Sequence, residues 1–184
     1  MSLREGRMPA YRDWDPICVA KQMPWCTIVE RGGNTGYRLR FAGTAICEFY
    51  NEEMTGQEVG HRMSPGARDF YFAQIEETLT RPCGMFFTTH ARSDSGRDCL
   101  FDTLALPFAD ENGEGCRLIT HQSNIEEVTY GEARTRFSMP EGAEWIDLGE
   151  GVPPRIELAS VQSRSEKASR TSSANSSGSS IAAK

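Results

Sequence analysis

The stretch YRLRFAGTAICEFYNEEMTG, residues 37–56, constrains the fold more than any other part of the chain. Tyr37, Leu39 and Phe41 alternate with Arg38 and Arg40, the period-two pattern of a strand with one wet face. Gly43 interrupts the pattern. Thr44 then offers an N-cap, and Ala45, Ile46, Glu48, Phe49 and Tyr50 predict a short helix that Asn51 ends. A strand, a glycine pivot and a one- or two-turn helix make a compact crossover whose helix folds back onto the sheet it has just left.

The remaining segments supply the rest of such a sheet. WCTIVE, residues 25–30, is β-rich and is joined to the strand at Tyr37 by RGGNTG, which predicts an antiparallel hairpin. Its glycines do not follow the phosphate-loop spacing, and no lysine follows them. Residues 84–92 and 98–108, joined by SDSGR, predict a second hairpin, with Pro107 marking the end or an edge of its second strand. Residues 116–123 predict a closing strand after the turn DENGEG.

Helices are expected in three places. Asp15 and Pro16 start a short one over residues 15–23, with Ile17, Val19, Ala20 and Met23 apolar and Pro24 as its stop. Ser64 and Pro65 lead into the longest, residues 68–79, with Phe70, Tyr71, Ala73, Ile75 and Leu79 apolar and Glu76 and Glu77 wet. Phe72 widens that aromatic face, so the helix should touch the sheet on one side and something else on the other. Residues 124–137 read as a third, capped by Asn124 and carrying Ile125, Val128 and Phe137. Residues 138–154 read as an extended segment with an apolar knot at Trp145, Ile146 and Leu148. In residues 155–184 ten of thirty positions are serine and aromatics vanish, so a disordered tail is expected. Residues 1–12 read as a flexible lead-in.

The form Y-R-x-R-F-x-G-T-x-I followed by M-T-G, together with D-P-x-x-V-x-x-x-M-P-W upstream, resembles the single-domain PAS family common in alphaproteobacteria (PAS_5-like). The resemblance implies an α+β fold, with a domain over residues 13–137. Its five-stranded antiparallel sheet would run in the order 2-1-5-4-3, with short helices on one face. It also implies a non-catalytic sensory or adaptor role. Relatives commonly dimerise through the N-terminal helix and the outer sheet face, which nominates Trp14, Ile17 and Trp25 as interface residues.

Composition narrows the function. The formal charge of −6 argues against a general nucleic-acid binder, which needs clustered Lys and Arg. No stretch reaches the length of a membrane span, and the charged N-terminus lacks the apolar core of a signal peptide, so a cytoplasmic protein is expected. Six scattered cysteines without a C-x-x-C read as reduced, mostly buried thiols.

Chemistry is sparse. His61, His90 and His121 follow no zinc spacing, and nothing supports His61 as a haem ligand. No cysteine sits in the N-C-R-F-L-type motif of flavin photosensors, so no cofactor is evident. The chain has no nucleophile signature, and no catalytic or metal residues are assigned. What remains is the space between sheet and helices, with Leu39, Phe41, Ile46, Phe49, Phe70, Ile75, Phe87, Leu104 and Ile119 as candidate lining. Output would pass to a second copy or a signalling partner. Two other readings stand beside this one. A cone-shaped α+β enzyme or binder would need an aspartate–histidine pair such as Asp102 with His90 or His121 in a closed pocket. A purely structural interaction domain would have a filled core.

Overall fold

The computed structural model describes residues 8–128 and 139–154. Its frame is one antiparallel sheet of six strands: β1 (Cys26–Arg31), β2 (Tyr37–Ala42), β3 (Cys83–Arg92), β4 (Asp98–Ala109), β5 (Gly115–Val128) and β6 (Gly142–Asp147). The order is β2-β1-β5-β4-β3-β6. The expected 2-1-5-4-3 arrangement is therefore present, with one further strand beside β3. Helices α1 (Thr44–Tyr50) and α2 (Pro65–Thr80) sit between β2 and β3 in the chain and pack on one sheet face.

Local chemistry explains the turns. Gly33 and Gly36 hold the β1–β2 hairpin in left-handed conformations, φ 77° and 103°. The Glu58 carboxylate then accepts from the backbone N–H of Asn34 (2.8 Å) and Thr35 (3.1 Å) and from the Thr35 hydroxyl. Gly43 is required for a different reason. A Cβ there would stand 2.2 Å from the Met23 carbonyl oxygen, so α1 can start only where the chain carries no side chain. Gly43, not Thr44, is the N-cap of α1, and no side chain caps it. Asn51 ends α1 in the left-handed region (φ 51°), its N–H bonded to Cys47 and Glu48 carbonyls. In α2 the Ser64 hydroxyl caps Ala67 N–H at 3.3 Å, and Pro65 takes the first turn. Phe72 finds its second contact in Tyr37, with ring centroids 5.3 Å apart.

Beyond α1 the chain runs back along β2. Gly56 N–H bonds Leu39 O, Leu39 N–H bonds Gln57 O, and Val59 N–H bonds Tyr37 O, at 2.6, 2.8 and 3.0 Å. Residues 56–59 thus lie along the outer margin of β2.

The core fills the space between the helices and the sheet's inner face. Val29, Leu39, Met85, Phe87, Phe101, Ala105 and Leu118 come from the strands, and Ile46, Phe49, Tyr50, Phe70, Tyr71, Ile75 and Leu79 from the helices.

Several expectations are corrected. The helix over residues 15–23 is instead two short 3-10 turns, Pro16–Val19 and Met23–Trp25. With prolines at both ends and Ile17 80% exposed, nothing offsets the cost of nucleating an α-helix. Residues 8–12 of the expected lead-in are anchored: Ala109 N–H bonds Pro9 O at 2.9 Å, and Tyr11 packs on Phe108 and beneath Arg117. Residues 124–128 continue β5 rather than starting a helix, because β4 is long enough to pair with them as far as Asp98↔Val128. The knot near Trp145 is strand β6. The open edge of β3 recruits it, and Ala143 and Trp145 join the core side. The first seven residues of the lead-in, residues 129–137 of the expected third helix and the 155–184 tail lie outside the described residues.

Candidate ligand cavity

Between sheet and helices lies a cavity of about 120 Å³. Its floor is the inner sheet face: Thr27 and Val29 of β1, Leu39 of β2, Met85 and Phe87 of β3, Thr103 and Ala105 of β4, and Leu118, Thr120 and Gln122 of β5. Its roof is Ile46 and Tyr50 of α1, Tyr71 and Ile75 of α2, and the connection between the helices from Met54 through Met63.

Strand register decides which candidates reach it. Leu39, Ile46, Ile75 and Phe87 line the cavity. Phe49 and Phe70 are buried in the surrounding core without lining it. Leu104 and Ile119 lie on the other sheet face, since their neighbours Thr103, Ala105, Leu118 and Thr120 point inward. Phe41 also faces outward. A bulge at Arg40 pairs Val29 with Leu39 but Ile28 with Phe41, so strict alternation from Leu39 fails by one residue.

The polar groups on the lining divide sharply. Thr27 and Thr120 hydroxyls bond each other at 2.7 Å, and Tyr71 donates to Thr89 at 3.2 Å. Burial holds the Tyr50 and Tyr71 phenols well above their ordinary pKa, so both stay neutral. Arg62 has a side chain only 7% exposed; it pairs with Glu52 and with Asp94 (3.3 Å) and lies 5.2 Å from the Tyr50 ring centroid. Two buried lining atoms have no hydrogen-bond partner: Thr103 Oγ1 and Arg62 Nε. Sequence reasoning missed both. Thr103 left a trace, being the one hydroxyl in the inward row Phe101, Thr103, Ala105. Arg62 left none.

The other groups with possible chemistry stand elsewhere. Asp102 accepts from Thr88 at 2.6 Å, and His90 Nε2 meets Glu141 at 2.7 Å. His121, opposite Leu104, also belongs to the outward face. Asp102, His90 and His121 thus lie off the cavity lining. Among the described residues no cluster of three or more His, Cys, Asp or Glu could hold a metal. All six cysteines are free, and burial raises the Cys26, Cys47 and Cys116 thiols and pushes Cys83 up to about 11. The described helices include none long and apolar enough to cross a membrane. Of the interface candidates, Ile17 is exposed, Trp14 is half-buried against Phe108, and Trp25 is turned inward onto Phe101 at 5.7 Å.

A family model described as PAS domain (PAS_5) matches residues 2–121. The chain belongs to this PAS family. No curated protein matches it. Similar solved structures include a light–oxygen–voltage domain studied with a flavin analogue, at 10% identity and TM-score 0.49, covering 62% of this chain and 87% of that one. The Rhodobacter sphaeroides LOV protein aligns at 9% identity and TM-score 0.44, covering 66% and 71%. VqmA bound to DPO aligns at 15% identity and TM-score 0.47, covering 60% and 56%. The assignment of this PAS domain rests on the family match together with its strand order.

Proposed function

We propose that this PAS protein is a non-catalytic cytoplasmic sensor or adaptor that takes a small molecule into its sheet–helix cavity and signals by contact, with a second copy or a protein partner. The observation that carries the reading is the cavity itself: about 120 Å³ of largely apolar space that the core side chains leave unfilled. Native interiors are close-packed, and voids larger than a water are few. The free cysteines with raised pKa fit a reducing compartment and a protein that does no thiol chemistry. Exposed Ile17 remains a candidate contact for a partner.

Native mass spectrometry of the full chain purified from its own host tests this. The expected result is a small non-covalent adduct lost on gentle activation. Bare protein only, from cells grown under several conditions, would favour a structural interaction domain instead.

A further inference from the structure

We infer that the cavity is selective for a neutral molecule of one ring or an equivalent short chain, carrying a hydrogen-bond acceptor that is held by the Thr103 hydroxyl. This rests on the ligand-binding reading above and narrows it to a chemical class.

Size comes first. An engineered cavity of roughly 150 Å³ admits benzene, whereas drug-sized ligands occupy about 300–1,000 Å³. A cavity of about 120 Å³ therefore suits around five or six non-hydrogen atoms. It has no room for a multi-ring cofactor without moving the helices.

Charge comes second. The charged groups on the lining are already engaged. Arg62 is more than neutralised by two carboxylates, Glu52 and Asp94; the His61 ring meets the Glu58 carbonyl at 3.0 Å and lies 3.6 Å from Glu52; and the Glu58 carboxylate accepts from the Asn34 and Thr35 N–H groups. An anion would meet surplus negative charge, and a cation would find the Glu58 carboxylate engaged by the hairpin and neither Glu52 nor Asp94 on the lining, so neither ion would recover its desolvation there.

Polarity comes third. Thr103 is 1% exposed, sits on the floor between Phe87 and Gln122, and its hydroxyl has no partner. A buried orphan hydroxyl costs stability that a ligand can recover. The second orphan on the lining, Arg62 Nε, can only donate. A ligand whose polar atom accepts thus satisfies either group, while one that only donates satisfies Thr103 alone.

The test is a titration of the full chain with cyclopentanone and, separately, benzene, followed by amide shifts in NMR. Both probes have the same number of non-hydrogen atoms, and only the ketone accepts. Three proteins are compared: wild type, Thr103→Val and Thr103→Ser. Valine matches threonine in shape and removes the orphan, so the Thr103→Val protein is expected to fold at least as stably. The expected result is that both probes bind the wild type. Thr103→Val then weakens cyclopentanone about three- to tenfold and leaves benzene within about twofold, and Thr103→Ser restores the ketone. If both probes bind and Thr103→Val leaves cyclopentanone unchanged, the Thr103 anchor is wrong while the ligand cavity stands. If neither probe binds the wild type, the ligand reading falls and this inference falls with it.

Discussion

Two charge clusters in this molecule are built with opposite arithmetic. At Glu30, one carboxylate that is 11% exposed receives Arg38 (2.7 Å), Arg117 (3.3 Å) and Arg40 (3.8 Å). At Arg62, one guanidinium that is 7% exposed receives two carboxylates, Glu52 and Asp94. The Glu30 cluster lies on the outward sheet face and ties β1 to β2 and β5, its own neighbours in the ladder. The Arg62 cluster joins two points of the helix connection, Glu52 and Arg62, to Asp94 in the β3–β4 turn. The first cluster reinforces what the sheet already holds. The second fixes Arg62, a lining residue of the cavity, from behind.

That difference sets an order of effects. Arg62→Met removes the 7% exposed guanidinium that bridges Glu52 and Asp94, whose own side chains are 32% and 27% exposed, and should cost about 3 kcal/mol, the low end for breaking a buried pair. For a chain of this size that lowers the melting temperature by roughly 6–12 °C in calorimetry. A loss no greater than that of Glu30→Gln would erase the distinction between the clusters.

Glu30→Gln should cost less, about 1–2 kcal/mol, since the strands stay paired and the arginines are partly solvated. It also carries a pH signature. Burial pushes the Glu30 carboxyl up, but its Arg38 and Arg117 hydrogen bonds outweigh that and hold it below the ordinary value of 4.5. A folded value below the unfolded one stabilises at pH above the unfolded value, and the benefit is lost as pH falls through the folded value. Urea unfolding at pH 7 and near pH 3 should therefore show a steeper acid loss in the wild type than in Glu30→Gln.

The smallest effect is spectroscopic. Burial, then the hydrogen bond to Glu76, pushes the Tyr37 phenol up to about 12. Glu76→Gln should lower that midpoint only in part, because burial is the larger cause. Ultraviolet titration of tyrosinate absorbance reads it, and an unmoved midpoint would remove Glu76 from the account.

Much of this fold was legible because alternation and turn residues agreed. Residues 84–92 and 98–108 formed the expected hairpin because SDSGR supplied a turn and both flanks alternated. Asn51 ended α1 as a residue tolerant of positive φ should. What failed was decided by partners distant in sequence. Phe41 faces outward because of a bulge opposite β1, which the β2 sequence does not announce. GAEWID is short and polar, and becomes a strand only because β3 has an open edge. The Leu104 and Ile119 assignments failed through phase: an alternating strand has two apolar readings one residue apart, and neither strand states which is inward. Leu39, Ile46, Ile75 and Phe87 reached the lining because bulky apolar character sufficed to find them. Arg62 and Thr103 did not, because a buried polar group is visible only once its surroundings are known.

The seam between residues 56–59 and β2 bears on how copies of this protein could meet. Bare strand margins invite a second chain to zip on through main-chain amides and carbonyls. Here that stretch of β2 already has its outward N–H and C=O groups taken, by the segment that goes on to roof the cavity. Strand addition at this border would have to peel that segment away first, which couples fibril-type stacking to opening of the binding space.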